Sequence, residues 1–456
     1  MILAWVVILL TLGSVLFYLV SPWQLTPLAS NWGAMDTTIQ ITALVTGAVF
    51  VAVNLFLAWV ILRYRHRASR RADFDPENKR LEGWLTLITG VGIAALLAPG
   101  LWVWGDFVRA PEEAHRVEVV GQQWRWSFRL PGEDGEFGRV DPRALETDNP
   151  FGLGEDPAGL DDRLVMEPRL LLPQGQPVQL RLRSKDVLHN FQVANFRAKM
   201  DLVPGQVSHF WLTPTEPGDY QVVCAELCGI AHFAMRARIE VVAPEVFEAW
   251  RDELPTQADW LARANPDLEA GRAHYASCAA CHGASGGGNA AIQAPPLAGL
   301  TPDYLHRQLE LFRRGARGTH AEDTQGQQMR PFALQLPDEA AIGDVAAYIA
   351  SFEPAISPPA EAGDPRRGAG LYRTCAHCHG ARGEGVAATR GPPLAGLPDW
   401  YLIRQLEHFR EGIRGRHADD PYGNQMVDMA QMLVNRRAVE DVVAHITRLG
   451  TGTEEE

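Results

Sequence analysis

At 456 residues, the chain is too long for one ordinary domain, since domains typically hold about 100–200 residues. Its formal net charge of −13 at pH 7 argues against a nucleic-acid-binding protein and suits a basic protein partner. Its six cysteines fall into three closely spaced pairs, a pattern that favours metal or haem sites over a disulfide framework.

Apolar residues are concentrated near the N-terminus, where three uncharged stretches each exceed or approach the roughly 20 apolar residues that a membrane helix needs. These stretches are residues 1–35, 37–62 and 83–105. The first hydrophobic segment, residues 1–22, is predicted to be a retained transmembrane helix, because it lacks the positively charged start of a signal peptide. A signal peptide cleaved before Asn31 is the alternative.

The second and third stretches are predicted to form a transmembrane helical hairpin over residues 36–106. Their connection, residues 63–80, carries seven Lys/Arg against three Asp/Glu. A short loop this basic stays in the cytoplasm, so everything after residue 106 is expected on the periplasmic side of a bacterial inner membrane. This orientation is the same whether or not the first segment is cleaved. The sequence therefore predicts a multi-pass protein in contact with membrane lipid.

Residues 115–250 are predicted to form an antiparallel β domain, because apolar and charged residues alternate with a period of two in several short segments. The clearest segments are residues 116–120, 177–184 and 235–242. Between the first two, residues 131–163 carry ten acidic residues against three arginines, together with Gly and Pro. This part is predicted to be an exposed, irregular acidic loop.

Five potential metal ligands lie near the end of this β domain. They are His189, Cys224, Cys228, His232 and Met235. Two thiolates, two imidazoles and a thioether form a soft donor set, which favours copper. A Cys224–Cys228 disulfide or a structural Cys₂His₂ zinc site is the alternative, but neither needs Met235.

The pattern C-x-E-x-C-G-x-x-H-x-x-M, preceded by D-V-L-H, resembles the dinuclear CuA centre of cytochrome c oxidase subunit II, and the resemblance covers about residues 36–245. It implies a cupredoxin-like β-sandwich in which both sulfurs bridge two copper ions. It also implies one histidine for each ion, a weak bond from Met235 to one ion, and contact of the other with the backbone carbonyl of Glu226. In this family the Glu226 side chain would share a magnesium site with subunit I.

The same resemblance assigns two further residues. Trp124, in GQQWRWSF, matches the tryptophan through which electrons enter, although the next position, commonly aromatic in the family, is Arg125 here. Glu82 matches the family position that admits protons to a channel in subunit I. Simpler interpretations are a tryptophan that packs in the sandwich and an acidic residue favoured at a helix start.

The C-terminal region repeats itself with an offset of 97 residues, which indicates a duplication: PPLAGLTPDYLHRQLELFRRGARG at 295–318 matches PPLAGLPDWYLIRQLEHFREGIRG at 392–415. Each copy begins with Cys-x-x-Cys-His, the signature for covalent attachment of c-type haem. The attachment residues are Cys278 and Cys281 in the first copy and Cys375 and Cys378 in the second. His282 and His379 are the predicted proximal iron ligands.

The repeat also selects the distal iron ligands. Met329 plus 97 is Met426, whereas Met429 and Met432 correspond to residues of other types. Methionine raises the potential of haem iron, which suits an electron donor. His320 and His417 also correspond, so a bis-histidine haem is the alternative.

Helical periodicity in both copies predicts two all-α cytochrome c domains, at residues 266–353 and 364–451, separated by the Pro-rich segment 352–365. The predicted fold is thus multidomain: N-terminal transmembrane helices, a cupredoxin-like antiparallel β-sandwich and two cytochrome c domains.

Together the motifs predict the electron-input subunit of a haem-copper terminal oxidase. Electrons from a periplasmic or membrane-bound cytochrome c donor would pass through two haems and CuA to subunit I, which reduces oxygen to water with proton translocation. Subunit III would be a further partner, and no catalytic residue is expected in this chain. The alternatives are the input subunit of a CuA-type nitric oxide reductase and a membrane-anchored periplasmic electron carrier.

Overall fold

The structure, a computed structural model, describes most of the chain. The described ranges are 1–21, 25–67, 77–145, 149–154, 156–262, 266–354 and 356–450. Four predicted parts extend outside these ranges. They are the C-terminal residue of the first segment, the centre of the basic loop, parts of the acidic loop and the last residue of the second cytochrome domain. Within these ranges, three long helices are followed by ten strands and then by eleven shorter helices.

The three N-terminal helices are long and apolar enough to cross a membrane, as the sequence predicts. They are α1 (Ile2–Val20), α2 (Gly33–Arg63) and α3 (Lys79–Phe107). Nearly all of their large apolar side chains are exposed, which only a lipid environment makes favourable. Helix α1 packs along α2, and α2 packs against α3.

The β domain follows directly. Its strands are β1 (His115–Gln122), β2 (Arg125–Leu130), β3 (Arg163–Val165), β4 (Arg169–Pro173), β5 (Val178–Ser184), β6 (His189–Val193), β7 (Ala198–Leu202), β8 (Ser208–Leu212), β9 (Gly218–Cys224) and β10 (Arg236–Val242). One sheet has the order β3-β2-β1-β5-β8 and the other β4-β10-β9-β6-β7. Most neighbours are antiparallel, but β1 with β5 and β4 with β10 are parallel, which alternation alone does not reveal.

This arrangement is the predicted cupredoxin-like sandwich. The inward faces of both sheets fill one core, in which Trp126, Phe128, Phe191 and Phe210 are almost fully buried. The alternating pattern of β5, with Val178, Leu180 and Leu182 pointing inward, shows why the sequence forms half-buried strands here. The fold prediction for this part of the chain is therefore confirmed.

The sandwich sits directly on the ends of two membrane helices. The Trp32 indole N–H, beside the start of α2, donates to the Trp211 carbonyl at 2.8 Å, and the Trp211 indole N–H donates to the Asp106 carbonyl near the end of α3 at 2.7 Å. Arg197 forms a bidentate ion pair with Asp36 in the first turn of α2. The β domain therefore packs where α2 begins and α3 ends, and the described ends of the predicted basic loop, residues 63–67 and 77–80, lie at the opposite end of the hairpin.

The acidic segment is more ordered than the sequence predicts. Its described residues are mostly irregular, with short 3₁₀ turns at Pro142–Ala144 and Pro157–Gly159, but Phe151 and Asp162 are fully buried. Asp162 accepts a hydrogen bond from Arg129 at 3.0 Å. The high density of acidic residues predicts exposure to solvent. It does not indicate that one of these residues, Asp162, is buried in an ion pair.

Short helices α4 (Pro244–Glu253) and α5 (Gln257–Ala262) lead from the sandwich to two helical domains. The first haem domain contains α6 (Leu268–Tyr275), α7 (Ala279–His282), α8 (Pro302–Arg314), α9 (Thr324–Ala333) and α10 (Glu339–Ala350). The second haem domain contains α11 (Pro365–His379), α12 (Asp399–Glu411), α13 (Pro421–Ala430) and α14 (Arg436–Leu449). The prediction of all-α domains is confirmed.

The two haem domains use the same glycine for the same helix contact. Gly271 in α6 lies against the backbone of Asp344 in α10, so an added Cβ would come within 2.2 Å of the Asp344 carbonyl oxygen. In the second domain, Gly368 meets Asp441 in the same way, at 1.9 Å. Both pairs are related by the 97-residue offset. A glycine lets the first and last helices of each domain touch closely.

Candidate metal centre and haem sites

The five predicted metal ligands come together at one end of the sandwich. His189 begins β6 and Cys224 ends β9, which is the strand paired with β6. The other three, Cys228, His232 and Met235, lie on the loop between β9 and β10. The Cys224 amide donates to the Met235 carbonyl at 3.2 Å, which closes this loop. Both ends of the loop are therefore held by a rigid sheet.

Each cysteine sulfur has its own histidine partner. The sulfur of Cys224 lies 3.9 Å from His189 Nδ1, and the sulfur of Cys228 lies 3.5 Å from His232 Nδ1. The two sulfurs are 3.7 Å apart, and Met235 Sδ is 3.7 Å from Cys228 Sγ. Since a disulfide requires about 2.05 Å, the two cysteines are not bonded to each other.

This donor set fits copper. His189, Cys224 and Cys228 present ligand atoms within 4.8 Å of one another, and all three are buried. Soft sulfur donors with imidazoles favour copper, and the two sulfurs lie between the two histidine rings as two Cys–His pairs. A single tetrahedral zinc ion would leave Met235 unexplained.

The electrostatics favour histidine and thiolate ligands. Asp186 Oδ1 lies 2.8 Å from His189 Nε2, which leaves Nδ1 directed at the sulfurs. Burial lowers the pKa of His189, but the hydrogen bonds to Asp186 and Cys224 outweigh it and the pKa is raised. The contact between the thiols lowers the pKa of Cys224 and raises that of Cys228, because one proton is shared.

Glu226 and Glu82, to which the resemblance also assigns roles, lie far apart in the fold. The Glu226 carbonyl accepts a contact from Cys224 Sγ at 3.2 Å, and its side chain is half-buried on the metal loop. Glu82 is exposed in the first turn of α3, at the helix end opposite the β domain. Asn78 caps this helix by accepting a hydrogen bond from the Leu81 amide at 3.0 Å.

The first haem domain contains a cavity of about 350 Å³ around its predicted ligands. Cys278, Cys281, His282 and Met329 all line it. His282 Nδ1 lies 2.8 Å from the Pro295 carbonyl, which leaves Nε2 available to a metal. Burial lowers the pKa of His282, so the ring is neutral at pH 7, as an iron ligand must be.

The second haem domain repeats this geometry. His379 Nδ1 lies 2.9 Å from the Pro392 carbonyl, and burial lowers the pKa of this ring as well. Met426 packs against a small core that contains Phe409 and Val427. The alternative distal histidines, His320 and His417, are exposed, and His320 is not part of the cavity lining. The first copy thus brings two cysteines, a histidine and a methionine around one cavity, and the second repeats its histidine contact.

Two parts of the chain resemble known protein families. The family described as "Cytochrome C oxidase subunit II, periplasmic domain" matches residues 115–242, and the family "Cytochrome c" matches residues 268–353 and 365–450. The "Alternative cytochrome c oxidase subunit 2" of Bradyrhizobium diazoefficiens is 52% identical over 256 residues, which covers 56% of this chain and 92% of that protein. The chain belongs to the cytochrome c oxidase subunit 2 family.

More distant relatives match parts of the chain. The cytochrome c oxidase subunit 2 of Cereibacter sphaeroides is 25% identical over 50% of this chain and 77% of its own length. Among solved structures, reduced cytochrome c4 from Pseudomonas stutzeri matches 40% of this chain and 98% of its own, at 29% identity and a TM-score of 0.35. The predictions of family and of membership in a cytochrome c oxidase complex are confirmed. The subunit II domain implies a CuA centre, and the cytochrome domains imply c-type haem.

In this chain, the two haem domains meet at a polar cluster that sequence reasoning missed. Arg414 donates to Gln405 and, at 2.7 Å, to Gln308 of the other domain. Arg317 donates to Gln308 at 2.6 Å. In the part of the chain that the structure describes, neither arginine forms an ion pair with a carboxylate. The 97-residue offset, which relates Arg317 to Arg414, could have revealed this pair.

Trp124 lies between the metal loop and the second haem domain, with only 6% of its surface exposed. Its indole N–H donates to the Cys228 carbonyl at 3.2 Å. Its own carbonyl accepts a hydrogen bond from Gln425 at 2.9 Å. The predicted site for electron transfer is therefore buried under another part of the same chain.

Proposed function

We propose that this chain receives electrons from a c-type cytochrome donor and passes them through two covalently held haems and a dinuclear copper centre to a catalytic subunit I. In the proposed complex, subunit I reduces oxygen to water with proton translocation. The observation that carries the proposal is the pairing of each cysteine sulfur with its own histidine across a Sγ–Sγ separation of 3.7 Å.

At the copper centre, the proposed ligands are those that the resemblance implies: His189, Cys224, Glu226 through its carbonyl, Cys228, His232 and Met235. When bound, the two copper ions take up and release one electron without bond chemistry. The chain's contribution is rigidity, because paired strands and a hydrogen-bonded loop fix the ligand positions. Asp186 holds the His189 ring in place, and the buried cysteines are shielded from water.

At the haems, the proposed covalent anchors are Cys278, Cys281, Cys375 and Cys378, and the proposed iron ligands are His282, Met329, His379 and Met426. When bound, each haem carries one electron, at a potential that the methionine raises. The Pro295 and Pro392 carbonyls orient the two histidine rings. Arg317 and Arg414 offer positive charge that suits the carboxylate groups which haem carries on one edge.

The arrangement of membrane and soluble parts supports the proposed complex. The basic loop lies in the cytoplasm of a bacterium, and α2 and α3 cross its inner membrane. The sandwich, at the opposite ends of these helices, and the haem domains therefore lie in the periplasm. We assign the functional units to residues 115–250, 266–353 and 364–451. The metal loop exposes apolar side chains, with Leu227 at 81% exposure beside the half-exposed Ile230 and Phe233.

This apolar loop favours a bound subunit over a free-standing electron carrier, because a soluble carrier would leave these side chains in water. Subunit I is the proposed partner at this surface, with the Glu226 side chain contributing to a shared magnesium site. Glu82 is the proposed position for proton uptake on the cytoplasmic side, and subunit III is a further proposed partner.

The test is the cofactor content of the purified full chain. We expect two haems that resist extraction into acidic acetone and two copper atoms per chain. Met235→Leu should change the copper absorption spectrum and leave the haem content unchanged. Met166→Leu, which alters a methionine of the same domain outside the cluster, should change neither. Extractable haem, or one copper per chain, would refute the proposal.

A further inference from the structure

The second haem domain covers Trp124 with the segments that surround its own predicted haem. The His377 ring, inside the Cys-x-x-Cys-His motif, lies 6.4 Å from the Trp124 ring centre to centre. The Ala388 carbonyl, on the loop after this motif, accepts a hydrogen bond from Gln122 at 2.8 Å. Gln425, next to Met426, donates to the Trp124 carbonyl. The haem-binding side of this domain therefore faces the copper domain.

Trp124 also contacts the metal loop on its other side, through the hydrogen bond to the Cys228 carbonyl. Gln123 donates to the same carbonyl at 2.7 Å. A short series of contacts thus joins the residue beside Met426 to Trp124, and Trp124 to a proposed copper ligand. Among the described residues, the first haem domain contacts the copper domain through the 3.0 Å ion pair Arg314–Glu167, at the end of α8.

Arg125 lies where all three domains meet. Its side chain is buried, with 1% of its surface exposed, and donates a hydrogen bond to Gln122 Oε1 at 3.3 Å. The amide nitrogen of Gln122 in turn donates to the Ala388 carbonyl of the second haem domain. Burial raises the pKa of Tyr422, but the charges of Arg390, Arg125 and Arg307 outweigh it and the pKa is lowered. These charges therefore lie close to the phenol.

A carboxylate of the first haem domain completes this junction. Asp303 Oδ2 lies 3.2 Å from Arg307 Nη1, and its Oδ1 lies 3.6 Å from Arg390 Nη1 of the second domain. Arg307 also donates to the Arg390 carbonyl at 3.0 Å. The position that is commonly aromatic in the family is thus occupied by a buried cation, which is linked through Gln122 to the second haem domain.

The internal repeat identifies the corresponding surface of the first haem domain. Ala280 corresponds to His377, and Ala291 corresponds to Ala388. Both are exposed, and the neighbouring Ile292 is 49% exposed, whereas its counterpart Thr389 is partly covered. The loop after the haem motif is therefore partly covered in the second copy, where it contacts the copper domain, and open in the first, whereas His377, like Ala280, is exposed.

We propose that Arg125 positions the second haem domain on Trp124, so that this domain is the inner one, next to copper, and the first haem domain is the outer one, which receives electrons from the donor protein. This inference rests on the proposed function. It goes further by assigning an order to the two haems and by making Arg125 a positioning residue.

The order can be tested with one ligand change in each domain of the full chain. Reduced soluble cytochrome c serves as the donor, and haem and copper absorbance are followed by stopped flow. Met426→His, which lowers the potential of the inner haem, should leave the first haem phase at the wild-type rate and slow copper reduction more than about tenfold. Met329→His should slow the first haem phase itself.

The order would be overturned if Met426→His slowed the first haem phase and Met329→His did not. Reduction of copper before either haem would also overturn it. Failure of the proposed function looks different, because haem or copper would then be missing from the wild-type chain. The two failures are therefore separable in the same preparation.

The role of Arg125 is tested by hydroxyl-radical footprinting of the full chain, which measures how accessible Trp124 is to solvent. Arg125→Gln should raise the oxidation rate of Trp124 about tenfold, since the hydrogen bond that this buried cation donates to Gln122 is lost. Arg125→Lys, which keeps the charge, should restore part of the protection. Arg116→Gln, which removes an exposed ion pair with Glu136 in the same domain, should leave it unchanged. Unchanged protection in Arg125→Gln would overturn the positioning role.

Discussion

Asp186 and His189, three residues apart, form a 2.8 Å contact that turns the other ring nitrogen of His189 toward the sulfur of Cys224. Asp186 also accepts a hydrogen bond from the Gln123 amide at 2.7 Å, which ties the metal site to the segment that carries Trp124. The carboxylate therefore fixes both a ligand and the neighbouring loop.

Asp186→Asn should weaken copper binding by about 10–100-fold, because partners of metal-bound histidines typically contribute this much to affinity. Competition with a copper chelator, followed through the copper absorbance, measures the change. Asp219→Asn, at an exposed position in β9, is the control and should have no effect. An equal loss in both variants would mean that Asp186 acts only through general stability.

Arg414→Gln should lower the midpoint potential of the second haem, and that of the first by less. A positive charge near haem disfavours the more positively charged ferric state, so its removal stabilises that state. Spectroelectrochemical titration of the full chain measures both potentials. Arg436→Gln, an exposed arginine of the same domain that pairs with Glu407 and Glu440, should shift neither. Unchanged potentials in Arg414→Gln would mean that the haem carboxylates do not lie near Arg414.

Gly368→Ala should destabilise the second haem domain by about 1–3 kcal/mol, the usual cost of forcing an extra methyl group into packed atoms. The new Cβ would lie 1.9 Å from the Asp441 carbonyl oxygen, so α11 and α14 would have to separate. Thermal unfolding followed at the haem absorbance measures the loss. Gly343→Ala, a helical glycine with no atom within 4 Å of the new Cβ, should be neutral or slightly stabilising.

Asp162→Asn should flatten the pH dependence of stability around β2 and β3. Burial raises the pKa of Asp162 from 3.8 to about 6, against the opposing charge of Arg129. The folded state therefore binds the proton more tightly, and stability falls as the pH rises from about 4 to about 6. Hydrogen exchange of these strands across this range measures the slope. Asp134→Asn, at an exposed position, should keep the wild-type slope.

Local patterns account for what the sequence predicted well. Two Cys-x-x-Cys-His motifs and the 97-residue repeat locate His282 and His379, and the structure gives both the same partner, a proline carbonyl thirteen residues later. The spacing from Cys224 to Met235 fits within one loop between paired strands. Period-two alternation located three strands, because one face of each strand is buried.

Contacts between distant segments could not be predicted in this way. Arg125 and Tyr422 are nearly three hundred positions apart, and no local pattern indicates that they meet. The parallel pairing of β1 with β5 depends on how the chain crosses between sheets. The burial of Phe151 in an acidic segment depends on the ion pair between Arg129 and Asp162. Asp186, by contrast, lay within the quoted D-V-L-H and could have been recognised as the partner of His189.

The contacts between the sandwich and helices α2 and α3 determine how far the proposed copper centre lies from the membrane. Trp32 and Trp211, with the Asp36–Arg197 ion pair, attach the β domain to both helices of the hairpin without an intervening linker. The metal loop is therefore held at a constant elevation above the bilayer surface. A docked catalytic subunit would therefore find the proposed copper centre in a fixed position, whatever the orientation in which the donor protein approaches.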